Sequence, residues 1–293
     1  MMRLYTLSTL PLAGMMALAA PLSAQEDGSA PTHKLLLTNG VSTIEGSSGG
    51  GIATWATIAG REMDRGIGVQ GHATIVELPD YGWQSHGIAV GIANRLELSY
   101  ARQNFDTRDV GAALGLGRGY TLNQDVFGAK LRIAGDVIYG DPLMPQIAVG
   151  IQHKRNRDGP VAFAVGAADD SGTDYTVSAT KLFLAQSVLV NATARYTSAN
   201  QNGLLGFGSA ADDGASLQFE GSVAYQLSRR AVVGAEARTK PDNLGLGEDD
   251  CLDLFAAYAV TDNVTVTAAY ADLGSIATFE DQRGAFLSAQ VAF

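Results

Sequence analysis

A single cysteine, Cys251, stands in a chain of 293 residues, so no internal disulfide can form. Cys251 reads as a small strand residue. Beyond the first two dozen residues no run of about 18 uninterrupted apolar residues occurs, which excludes a spanning helix. Positive charge is scarce: 20 Lys and Arg stand against 30 Asp and Glu, a net charge of −10 that argues against nucleic acid as a partner. The four histidines, His33, His72, His86 and His153, lack metal-ligand spacing, and the sequence calls for neither metal nor cofactor. The Gly-rich stretch at 115–119 lacks the strand–loop–helix setting and the Gly-Lys-Ser/Thr end of a phosphate loop, and reads as a flexible loop. Ser85 and His86 are strand neighbours, which point to opposite faces and cannot act as a pair. No catalytic residue is assigned.

What is present begins with a leader. Met1-Met2-Arg3 is a short positive start, residues 4–20 are mostly apolar, and Leu22-Ser23-Ala24 ends on a small residue before Gln25-Glu26-Asp27. This is the layout of a secretory signal peptide over residues 1–24. The remaining 25–293 is long enough for one large β-domain.

That remainder alternates. Residues 217–227 place Leu217, Phe219, Gly221, Val223, Tyr225 and Leu227 on one face, with Gln218, Glu220, Ser222, Ala224 and Gln226 on the other. Side chains in a strand change face at every residue. The same reading gives strands at 52–59, 67–78, 83–92, 96–103, 124–133, 146–154, 173–181, 188–196, 233–238, 252–260 and 264–270. A first strand at 34–45 is possible, although Leu35-Leu36-Leu37 does not alternate. The Ser47–Gly51 stretch is a breaker, and 25–33 is a flexible N-terminus too short for a plug domain.

The final residues alternate strictly: Ala285, Leu287, Ala289, Val291 and Phe293 lie on an apolar face, and Phe286, Ser288, Gln290 and Ala292 on a mixed one. This stretch resembles the closing strand of bacterial outer-membrane β-barrels, in which the terminal aromatic is an assembly signal. On that resemblance Phe293 is read by the barrel assembly machinery. Strand lengths of about nine to eleven residues suit a tilted crossing of the bilayer. Short turns (93–95, 182–187, 228–230, 261–263) alternate with long connections (104–123, 154–171, 198–214, 240–250, 272–283), the outer-membrane barrel pattern. The expected fold is therefore all-β, a transmembrane antiparallel up-and-down β-barrel. It has about 14 strands if 34–45 is one of them and about 12 otherwise.

Several stretches match a family. They are Lys34-Leu35-Leu36-Leu37-Thr38-Asn39-Gly40-Val41, Glu45-Gly46 with Gly49-Gly50-Gly51, the run from Asp109 to Tyr120, Asp170-Ser171-Gly172-Thr173-Asp174, and the run from Lys181 to Ser187. The chain resembles the domain of unknown function 3034 family of Gram-negative bacteria over nearly its whole mature length. That family has no established activity, so the resemblance implies an outer-membrane placement and supplies no substrate.

On the barrel reading the polar strand face points into the lumen, because charge facing lipid is costly. Its candidates are Glu97, Lys130, Arg132, Lys154, Arg195, Glu220, Glu236, Arg238 and Asp253. They line an aqueous or gated passage, or else knit a closed lumen by ion pairs. About 14 strands enclose more than side chains fill, which favours a passage. The 104–123 connection is the candidate constriction or lid. The acidic pairs Asp169-Asp170 and Asp212-Asp213 and the Glu248–Asp250 run fall on the outer side, as solvated charge or as sites for cations that bridge lipopolysaccharide. The expected function is a channel or transporter for small solutes, porin-like and non-enzymatic, in contact with outer-membrane lipid and lipopolysaccharide. The alternatives are a structural or surface-interaction barrel and, third, a lipid hydrolase.

Overall fold

The computed structural model describes residues 33–63, 65–211 and 214–293. The leader at 1–24 and Asp212-Asp213 lie outside the described residues. No described helix is long and apolar enough to cross a membrane.

Twelve strands close into one antiparallel barrel, each paired with its neighbours in the sequence. They are β3 (Ile67–Glu77), β4 (Gly82–Ile92), β5 (Leu96–Asp106), β6 (Thr121–Ala134), β7 (Gln146–Asn156), β8 (Ser171–Phe183), β9 (Val188–Thr197), β10 (Ser216–Ser228), β11 (Ala231–Arg238), β12 (Cys251–Ala259), β13 (Val264–Asp272) and β14 (Arg283–Ala292). Strand β14 closes the ring on β3, in the register Phe286 to Val76 and Gln290 to His72. The Phe293 N–H donates to the Val69 carbonyl at 2.8 Å.

Period-two alternation sets the two surfaces. On β12, Cys251, Asp253 and Phe255 face inward, while Leu252, Leu254 and Ala256 are exposed. On β14, Phe286, Ser288 and Gln290 are buried and Leu287 is exposed. The outer wall carries Leu98, Phe127, Ile151, Phe219, Val223 and Leu254, all exposed. An apolar exterior around a polar interior is the arrangement a bilayer demands.

The connections differ in length at the two ends. One end holds 93–95, 135–145, 184–187, 229–230 and 260–263; the other holds 78–81, 107–120, 157–170, 198–215, 239–250 and 273–282. Two break the alternation. The 135–145 segment is long among short turns, and 78–81 is short among long loops. The long loops carry α1 (Arg108–Ala113), α2 (Gly159–Ala164) and a 3₁₀ turn at Asn200–Gly203.

The wall count settles at twelve because residues 34–60 are not in the wall. They enter the lumen from the short-turn end, rise, turn back and rejoin the wall at β3. Every residue from Thr38 to Gly60 is buried. Strands β1 (Val41–Ser42) and β2 (Ser48–Gly49) pair as a small hairpin inside the barrel, and Gly49 makes one further antiparallel bridge to Thr54. Residues 34–45 and 52–59, read from the sequence as wall strands, are therefore a plug. The stretch at 52–56 bends, and apart from a bridge from Thr54 to Gly49 and the Gly50 N–H to Ala53 carbonyl bond its backbone partners are wall side chains. A twelve-stranded ring is wider than side chains alone fill, and the plug supplies the missing volume.

Two glycines let the plug fit. A Cβ on inward-facing Gly91 of β4 would overlap the Ala59 carbonyl, and one on Gly50 would overlap the Glu236 carboxylate. Gly91→Val should overpack the lumen and destabilise the barrel by about 1–3 kcal/mol, whereas Ala256→Val on the outer face should be silent. Thermal unfolding in detergent, followed by heat-modifiable gel migration, measures both; equal midpoints for the two variants would contradict the buried plug.

Candidate functional site

The plug tip carries Glu45, which is fully buried. Three wall cations converge on its carboxylate from β7, β9 and β11. Lys154 Nζ donates to Oε1 at 2.5 Å. Arg238 spans both oxygens, Nη2 to Oε1 and Nη1 to Oε2, each at 3.0 Å. Arg195 Nη2 lies 3.2 Å from Oε2. Two wall carboxylates complete the cluster. Asp174 on β8 takes Lys154 at 2.7 Å and Arg195 at 2.9 Å. Glu220 on β10 takes Arg195 Nε at 2.5 Å. Three positive and three negative charges thus close on one another away from water. Buried charge needs that pairing, because removing ions from water costs several kcal/mol each.

The remaining wall candidates hold the plug backbone. Glu220 Oε2 accepts from the Thr54 N–H at 2.6 Å, and Glu236 Oε2 from the Ile52 N–H at 2.9 Å. Glu97 accepts from the Ser48 N–H at 3.1 Å and the Ala59 N–H at 2.7 Å. Lys130 donates to the carbonyls of Ser48 at 2.8 Å and Trp55 at 3.1 Å, and lies 3.3 Å from Glu97. Neutral wall groups do the same. Thr180 accepts from the Ala56 N–H, Asn191 and Thr193 donate to the Thr54 carbonyl, and Ser85 and Gln103 donate to the Ile44 carbonyl. A segment with no strand partner has its orphan backbone groups satisfied in this way.

Eight of the nine sequence candidates are thus buried on the inner face. Arg132 differs. It is half-buried at the short-turn end, donating to the Gly135 and Asn94 carbonyls and lying 3.4 Å from Asp136. Asp253 pairs in register with Glu236 across β11 and β12, and neither of its carboxylate oxygens has a hydrogen-bond partner. Sequence reasoning missed Glu45 and Asp174 as site residues. Asp174 was findable: it alternates with Tyr175 and Val177, which face outward. Glu45 carried no such signal, because it lies beside a glycine-rich breaker.

The long-loop mouth is closed by a second infolding. Residues 199–209 are buried, with Leu204 and Leu205 packed against Ile44, Val76, Trp83 and Phe105. The 107–120 connection contributes Val110 to this cluster, while Leu114 is exposed. The sequence-predicted lid therefore only assists; the 198–215 loop fills the mouth. Lys240 ties that loop down, donating to Gln201 Oε1 and to the Leu273 and Ser275 carbonyls, and it pairs with Glu248 at 3.0 Å. Burial pushes the Glu248 carboxyl above its usual range, against the pull of Lys240. No group of three or more metal-ligating side chains exists among the described residues.

The structure also brings His72 Nε2 to 3.2 Å from Ser85 Oγ. Ser85 spends its proton on the Ile44 carbonyl at 2.7 Å, and His72 Nδ1 has no orienting partner. The hydroxyl is thus not poised for transfer to the imidazole, as an activated nucleophile requires. His86 faces outward and does not share this site.

Small cavities of about 10–20 Å³, water-sized, lie between the plug and the wall.

Comparison with solved structures places the fold among porin-like outer-membrane barrels. A KdgM porin superposes with a TM-score of 0.50 at 10% identity, covering 77% of this chain and 99% of its own. The KdgM porin in complex with disordered oligogalacturonate gives 0.50 at 11% identity, over 77% and 99%. The NanC porin gives 0.47 at 11%, over 78% and 99%. Among curated protein sequences none matches the chain. A family model, described as protein of unknown function (DUF3034), matches residues 38–290.

Arg195→Ala should strand Asp174 and Glu220 without their shared cation, costing about 3–5 kcal/mol. Urea unfolding in detergent micelles reads the loss, and limited proteolysis should cut within 38–60 sooner than in the parent protein. A stability within 1 kcal/mol of the parent, an order-of-magnitude threshold, would mean the cluster is not buried as described.

Proposed function

The chain belongs to this family of proteins of unknown function, DUF3034, and we propose that it is an outer-membrane channel for small solutes that rests shut, with residues 34–60 as its gate. Residues 1–24 act as the cleaved export signal, and the apolar wall meets outer-membrane lipid and lipopolysaccharide.

One observation carries the reading. The wall's buried charges find most of their partners on the plug rather than on each other: Glu97, Lys130, Glu220, Glu236 and Arg238 all bond to its backbone or to Glu45. With the plug displaced, the same side chains would face a water-filled bore, which is the lining of a selective pore. A barrel needing no passage is more simply filled by apolar side chains, because replacing a buried ion pair with hydrophobic residues is often neutral or stabilising.

A structural or surface-interaction barrel is the second reading. The filled lumen favours it, since every residue from Thr38 to Gly60 is buried there. Lipid hydrolysis would rest on the His72–Ser85 pair, which lies beneath the plug; a lipid-hydrolysis assay on purified protein addresses it.

Purified protein in planar bilayers should show discrete openings separated by long closed periods. Lys130→Met removes two charge-assisted hydrogen bonds to the plug, and should raise the open fraction about tenfold or more. Silence of both proteins at every voltage would favour the structural barrel.

A further inference from the structure

The Glu45 cluster has a charge balance that points to a ligand. Lys154, Arg195 and Arg238 belong to the wall, as do Asp174 and Glu220. Within this cluster the wall supplies three cations and two carboxylates, and Glu45 of the plug is the third carboxylate that completes their pairing. The cations address the carboxylate with three hydrogen-bond donors and one further ion pair: Oε1 takes Lys154 Nζ and Arg238 Nη2, Oε2 takes Arg238 Nη1, and Arg195 Nη2 lies 3.2 Å from Oε2. A planar guanidinium facing both oxygens at once is a fork that fits a carboxylate.

We infer that Lys154, Arg195 and Arg238 form a carboxylate-binding site, occupied by Glu45 while the plug is seated and by the carboxylate of a solute when the plug leaves. The inference rests on the gated-channel reading and names its solute class. Withdrawing Glu45 takes from Lys154, Arg195 and Arg238 a carboxylate that each of them contacts, which opposes opening. A carboxylated solute restores the balance and binds only the open state, so it shifts the equilibrium toward opening. A neutral solute of the same size supplies no such compensation. The gate and its trigger thus compete for the same three cations.

Two measurements test this. In the first, Glu45→Ala in detergent is melted in acetate and in chloride at equal ionic strength. Acetate should raise its unfolding midpoint and chloride should not, while the parent protein, with Glu45 in place, responds to neither. Adding Arg238→Lys, which removes the fork, should raise the half-saturating acetate concentration about tenfold. Equal protection by chloride or by sulfate would overturn the carboxylate assignment. Should the Ala variant fail to assemble, Glu45→Gln serves in its place, since its amide carries no charge. In the second, glucuronate should raise the open fraction of the parent protein in planar bilayers about tenfold over equimolar glucose. Equal responses to the two sugars would overturn the solute class. The failures separate. Acetate-specific protection with a silent bilayer sinks the channel and keeps the anion site; openings indifferent to glucuronate, without acetate protection, sink the site and keep the channel.

Discussion

Polar groups shut away from water must find one another, and that requirement organises this molecule. The barrel wall turns carboxylates, ammonium groups and guanidinium groups inward, where lipid cannot reach them and bulk water does not. The plug brings backbone N–H groups and carbonyls that lack a strand to pair with. Each side resolves the other's deficit. Glu97 by itself accepts from two plug N–H groups, those of Ser48 and Ala59. Leaving one such group unmatched costs about 1–3 kcal/mol, so the plug is held by many small obligations rather than by an apolar core.

This arrangement shapes the electrostatics. The six-charge cluster around Glu45 is neutral as a whole and hydrogen-bonded at nearly every donor, the condition under which buried ions are tolerated. Asp253 is the exception, a carboxyl beside Glu236 with no donor on either oxygen. The lumen is therefore not uniformly satisfied: the β7–β11 side grips the plug tip, whereas the β12 side meets it through Gly50 and Gly51, close to Glu236 and Asp253.

Much of the wall was legible in the sequence. The alternations at 188–196 and 217–227 fall within one or two residues of β9 and β10, and that at 252–260 within one residue of β12. The assignment of Glu97, Lys130 and Arg195 to the polar face followed from period two alone, as did the exposure of Leu217 and Val223. What periodicity does not reveal is the partner. Residues 52–59 read as a strand from the sequence, but the chain bends there and lies mostly against a ring of wall side chains. The glycines at 49–51 look like a breaker because they break; that the break lets backbone lie against Glu236 is a fact of three dimensions. Glu45 therefore went unmarked although three cations depend on it. The 198–214 stretch likewise read only as a long polar connection, because its buried amides Asn200, Gln201 and Asn202 carry no apolar period.

The plug is joined to the base of β3, the strand on which the ring finally closes against β14. It precedes every wall strand in the chain and lies inside the completed circle. Synthesis therefore delivers the cork before the bottle. The hairpin is thus at hand while the seam is still open, and the charges of Glu45 and its clamp offer an internal mould around which later strands gather.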